Sequence, residues 1–134
     1  MLAQKELKKL FHQLLENEIA QIDLGGSNIT IRFHSDESKF SLSTTVYLGG
    51  NFIPNSVRKS LTYKTPFALE NLKTYTTIIE DKFQIDLNYI GTLDNLNGEK
   101  FKELLEEFSW LSDEWRLYLD DHDKNDIIHI HIPK

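Results

Sequence analysis

Apolar residues three and four apart open the chain. Leu7, Leu10, Phe11, Leu14 and Leu15 recur with the i, i+3, i+4, i+7, i+8 spacing that lines one face of a helix, and they predict a helix over about residues 3–18. The period then falls to two. Ile22 and Leu24, a Gly25-Gly26-Ser27 break, and Ile29, Ile31 and Phe33 alternating with Asn28, Thr30, Arg32 and His34 predict two strands, each with one wet face. The polar run from Ser35 to Lys39 turns the chain into Phe40, Leu42, Thr44, Val46 and Leu48, which alternate with Ser41, Ser43, Thr45 and Tyr47. That hairpin closes at Gly49-Gly50.

From Asn51 to Leu72 the pattern weakens. Pro54 and Pro66 punctuate it, and Val57 and Leu61, four apart behind Asn55 or Ser56 as a cap, predict a short helix. A second antiparallel hairpin follows: Tyr75, Thr77 and Ile79 alternate with Thr74, Thr76 and Glu80, Glu80-Asp81-Lys82 turns, and Phe83, Ile85, Leu87 and Tyr89 alternate with Gln84, Asp86 and Asn88. Phe101, Leu104, Leu105, Phe108, Leu111, Trp115 and Tyr118 form the strongest helical stripe, from about 98 to 121. Ile128, Ile130 and Ile132, alternating with His129 and His131, predict a last short strand stopped by Pro133. The order of elements predicts an α+β fold: an antiparallel twisted sheet flanked by an N-terminal helix and a long helix in the C-terminal half. One sheet face lies under the helices and the other faces solvent or a partner.

At 134 residues the chain holds one domain, 1–134, with no linker or internal repeat. Lys plus Arg is 15 against 21 Asp plus Glu, a net charge of −6, which argues against a nucleic-acid partner and against an anionic membrane. The absence of cysteine removes disulfides, thiolate nucleophiles and Cys-based metal sites. Glu6, Lys8, Lys9, Glu16 and Glu18 interrupt the first eighteen residues, unlike the apolar core of a secretory signal, and no stretch is apolar enough to span a bilayer. A cytoplasmic protein is the expectation.

Candidate chemistry is sparse. His129 and His131 on one strand face, with His122 among Asp120, Asp121 and Asp123, outline a two-histidine, carboxylate metal site. The wet face of a half-buried strand accounts for the same histidines, so no metal is expected. Asp121, Asp123 and Asn125 start a calcium-loop spacing, but Asp126 stands where glycine is needed and Ile132 where glutamate is needed. The Gly25-Gly26-Ser27 and Gly49-Gly50-Asn51 pairs lack phosphate-loop context, no G-x-S-x-G elbow occurs, and adjacent carboxylates such as Glu106-Glu107 diverge on a helix. Nothing favours an enzyme. Trp110 and Leu117, seven apart and opposite the core stripe, instead place large apolar side chains on the outside of the long helix, as a protein-binding surface requires.

The segments Leu7–Leu15, Ile29–Phe33, Phe40–Leu48 and residues 83–119, FQIDLNYIGTLDNLNGEKFKELLEEFSWLSDEWRLYL with its late Trp115, are similar to class I type III secretion chaperones. That family's second helix falls within residues 54–72, where this chain is weakly periodic and interrupted by Pro66, and Asp126–Ile132 looks like an added strand. The resemblance implies a homodimer that holds the amino-terminal segment of a secreted effector extended along its surface and keeps it secretion-competent, with no ATP, metal or other cofactor. Backbone pairing at a sheet edge and hydrophobic anchors in shallow grooves supply the binding, and an acidic surface steers basic cargo. Leu10, Leu14, Ile31, Phe33, Val46 and Leu48 are the expected partner-binding residues, and Val57, Leu61, Ile78 and Trp110 the expected dimer interface. The alternative for a small acidic chain without catalytic motifs is an inhibitor or immunity-type protein that masks a folded partner.

Overall fold

The computed structural model describes residues 2–67, 72–94 and 96–131. Helix α1 (Gln4–Asn17) buries Leu7, Leu10 and Leu14 and stops where Glu18 adopts a left-handed φ of 60°, its N–H donating to the Leu14 carbonyl at 2.9 Å. Strands β1 (Ile19–Leu24) and β2 (Ser27–His34) follow, joined by Gly25 and Gly26 at φ 59° and 84°. Two positive φ angles make the two-residue turn whose twist matches the flanking strands. Gly25 is fixed by space as well, since a Cβ there would lie 2.6 Å from Ser109 Oγ.

A 3₁₀ turn at Ser35–Glu37 leads into β3 (Lys39–Leu48), and helix α2 (Asn55–Ser60) follows. Strand β4 (Thr74–Ile79), a second 3₁₀ turn at Glu80–Lys82 and β5 (Gln84–Thr92) precede helix α3 (Gly98–His131). The two hairpins turn alike. Ser38 and Phe83 each take a φ of 54° and donate N–H to the carbonyl three residues back, Ser35 and Glu80, at 3.2 Å. Asn97 caps α3, its Oδ1 accepting the Lys100 N–H at 2.9 Å.

The strands form one sheet in the order β1-β2-β3-β5-β4, antiparallel throughout. Helices α1 and α3 cover its inner face, where Ile29, Ile31, Phe40, Leu42, Ile85 and Leu87 meet Leu14, Phe101, Leu105 and Phe108. Phe101 joins the layers, with ring centroids 4.9 Å from Phe11 and 5.8 Å from Phe40. The helix–sheet α+β architecture is the expected one.

Two expectations fail. Residues 128–131 are not a strand: α3 continues through them to His131, and Ile132 lies outside the described residues. No glycine or proline stands between Gly98 and Pro133, so no helix breaker separates residues 128–131 from the rest of α3. The period-two Ile/His run is thus overridden by helix continuation. Helix α2, in turn, is not capped by Asn55 or Ser56. Pro54 holds the cap position, and its carbonyl accepts the Val57 and Arg58 N–H groups at 3.1 Å.

Candidate protein-binding surface

Strand alternation divides the sheet into an inner and an outer face, and an irregularity in β3 decides which side its last residues take. Thr45 pairs with Asp86, but Tyr47 pairs with Ile85, so Val46 is an extra residue in the ladder. Beyond it every side chain changes face. Tyr47 turns inward and is buried, while Leu48 turns outward and is 71% exposed. Leu48 heads a cross-strand row with Gln84 and Ile79. A second outward apolar pair, Tyr75 and Ile90, lies on β4 and β5 near Asn88, the partner of Tyr75. Sequence reading missed Ile90, although it continues the outward phase of Gln84, Asp86 and Asn88.

The predicted residues therefore separate. Leu10, Leu14, Ile31 and Val46 are buried in the chain's own core, as is Val57 beneath α2. They hold the fold and offer no free surface, because the periodic stripes that mark them are the ones the sheet and helices bury against each other. Phe33 is half-buried against Phe40, with centroids 6.5 Å apart. Leu61 and Ile78 are half-buried at the margin of the core. Only Leu48 and Trp110 among the ten are exposed.

Edge strand β4 is paired with β5 alone, and its sequence, TYTTII, carries no charge. Charged side chains, the usual protection of such an edge, are absent from β4. The opposite edge, β1, carries Asp23 outward and packs against α1.

On the far side, α3 presents Trp110 (45% exposed) and Leu117 (66%), the exposure predicted from their phase. Trp110 borders a recess of about 280 Å³ with Leu24, Gly25 and Ser109. Ser109 Oγ donates to the Leu24 carbonyl at 2.9 Å, which fixes the β1–β2 turn beside the indole. Leu117 borders a recess of about 460 Å³ with Phe67 and Tyr118. There Phe67, Trp115 and Tyr118 pack edge to face at 5.4–5.6 Å, and the Tyr118 hydroxyl donates to the Ser60 carbonyl at 3.1 Å. Burial, then Tyr63 nearby, raises the Tyr118 pKa.

Arg58 clamps α2 to the second hairpin turn with two bonds to Glu80, at 2.8 and 2.9 Å. That hydrogen bonding raises the arginine pKa and lowers that of Glu80. Among the described residues no three His, Cys, Asp or Glu side chains converge as metal ligands. His129 and His131, expected on one face of a strand, fall within helix α3. His122 packs edge to face against Tyr118 with centroids 4.6 Å apart. No helix of the described residues is long and apolar enough to cross a membrane. The surface is suited to holding another polypeptide by apolar contacts and strand pairing.

No family model and no curated protein matches the sequence. Solved structures do match in fold. A chain of the ExsC–ExsE complex superposes with a TM-score of 0.63 at 13% identity, covering 88% of this chain and 96% of that one. A chain of the heterodimeric ExoU–SpcU complex from the type III secretion system of Pseudomonas aeruginosa gives 0.55 at 11% identity, over 78% of this chain and 85% of that one. A chain of the HopA1–SchA chaperone–effector complex gives 0.55 at 14% identity, over 87% and 98%. The fold is that of the type III secretion chaperones.

Proposed function

We propose that the chain is a non-enzymatic cytoplasmic chaperone that binds the amino-terminal region of a type III secreted effector and keeps it secretion-competent. The observation that carries this reading is a fold shared with chains of complexes named for a chaperone or a type III secretion system. The uncharged β4 edge and the outward Leu48, Ile79, Tyr75 and Ile90 support it, because strand addition plus alternating apolar pockets is a general way of holding an extended segment. Binding of this kind makes and breaks no bond.

A homodimer is part of the proposal, with Trp110, Leu61 and Ile78 as surface contributors and Val57 supporting α2 from beneath. The test is purification from a native lysate, light scattering of the free chain, and limited proteolysis of the bound polypeptide. A dimer and one protected amino-terminal fragment of roughly 50 residues, as wrapping by coupled folding requires, are expected. An intact folded enzyme that loses activity in the complex would overturn the reading in favour of an inhibitor. A strictly monomeric chain would remove the dimer.

A further inference from the structure

A recess of about 620 Å³ lies on the outer sheet face. Its floor is hydroxyl and amide, from Gln21, Asn28, Thr30, Ser43, Thr45 and Gln84. Its one carboxylate, Asp86, already accepts the Thr45 hydroxyl and the Gln84 amide, both at 3.0 Å. Three cations from separate elements overlook it: Arg32 of β2, Lys82 of the second hairpin turn and Arg116 of α3. Arg116 is fixed in place, donating to Ser27 Oγ at 2.7 Å and pairing with Asp113. Arg32 and Lys82 have no carboxylate partner among the described residues. A chain of net charge −6 thus leaves two cations without a carboxylate partner at this place, beside an Arg116 already paired with Asp113.

The spacing speaks for a chain rather than a small anion. Arg32 stands four residues along β2 from Asn28, about 13 Å at strand rise, and the recess reaches across β1, β2, β3 and β5, about 14 Å at usual strand separation. One phosphate cannot span that. An extended polypeptide can, since its same-side residues recur about every 7 Å. We infer that the outer sheet face is a docking trough for an extended polypeptide segment with alternating carboxylate side chains. Arg32 and Lys82 take the carboxylates, and the hydroxyl–amide floor bonds the backbone. Charge complementarity selects the segment. The inference rests on the polypeptide-binding role proposed above and names the charge of one bound segment.

Fluorescence anisotropy tests it with a labelled Gly/Ser peptide carrying Glu at alternate positions, against the same peptide carrying Lys. The Glu peptide binds, and added NaCl weakens it. The Arg32→Glu, Lys82→Glu double variant, with its fold checked by circular dichroism, loses about tenfold or more in affinity, whereas Lys5→Glu on α1 changes nothing. Absent binding, equal binding of the Lys peptide, an unchanged double variant, or displacement by equimolar inorganic phosphate overturns the inference. Effector capture is read separately by proteolysis. A captured effector with no Glu-peptide binding sinks this inference alone, and Glu-peptide binding with no captured effector sinks only the chaperone reading.

Discussion

On β3, Leu42 and Thr44 point into the core while the residues that follow each, Ser43 and Thr45, face outward. The whole sheet repeats this contrast. Its inner face is closed by α1 and α3 into a dry layer, and its outer face is a carpet of hydroxyls and amides edged by Leu48, Ile79, Tyr75 and Ile90. The same alternation produces both, but the two faces answer to different demands. Inner positions contribute stability through close packing, and outer positions are left free for recognition. Substitutions on the two faces should therefore separate stability from binding.

The largest effect is expected inside. Leu87→Ala opens a void under a fully buried side chain in the central pair β3–β5. The cost is about 2–5 kcal/mol, measured by urea denaturation. A loss below about 1 kcal/mol would mean that the inner face repacks and is not the close-packed half of the comparison.

Next is the turn that joins the faces at the β1 end. Gly25→Ala must hold a φ of 59° and force a Cβ to within 2.6 Å of Ser109 Oγ, which bonds the Leu24 carbonyl. About 1–2 kcal/mol should be lost. The companion change Ser109→Ala removes the clash along with the bond, so the double variant should cost less than the sum of the two single ones. Strict additivity would show that the close approach has no energetic consequence.

Outside, Leu48→Ser is expected to leave stability within about 0.5 kcal/mol, as for other exposed positions, while weakening capture of a polypeptide partner. Its stability is the informative half. A sequence reader following the alternation places Leu48 with Leu42 and Thr44, and would predict a core-sized loss. The bulge at Val46 is the reason for the opposite expectation.

That bulge marks where legibility ends. The stripes on α1 and α3, the Gly25-Gly26 turn and the Glu80–Lys82 turn are local, so spacing and turn chemistry alone locate them. The pairing of β3 with β5, which places β4 at the edge, joins segments about forty residues apart, and no local signal specifies it. The one-residue insertion that exposes Leu48 is equally silent, since Val46 and Tyr47 both fit either face. The final turns of α3 mislead in the other direction: Ile/His alternation mimics a strand where no breaker ends the helix. Candidate binding residues chosen from apolar stripes fall mostly in the core for a related reason. A strong stripe is evidence of burial, so Leu10, Leu14 and Ile31 lie in the core, while Trp110, out of phase with its stripe, is exposed.

The smallest expected effect is at the rim, where Arg58 holds Glu80. The folded chain lowers the Glu80 pKa, so the unfolded state binds its proton more readily. The stabilisation is therefore complete above the usual glutamate range, near pH 4.3, and fades as pH falls through the lower folded value. Both groups are solvated and screened by salt, so the loss is local. Amide exchange followed on acidification should show the α2 amides of Val57 to Ser60 losing protection before those of β5, and Glu80→Gln should abolish that difference. Equal loss in both segments would mean that the clamp adds nothing to the outer rim, leaving α2 to be held by the buried Val57 and by its bonds to α3.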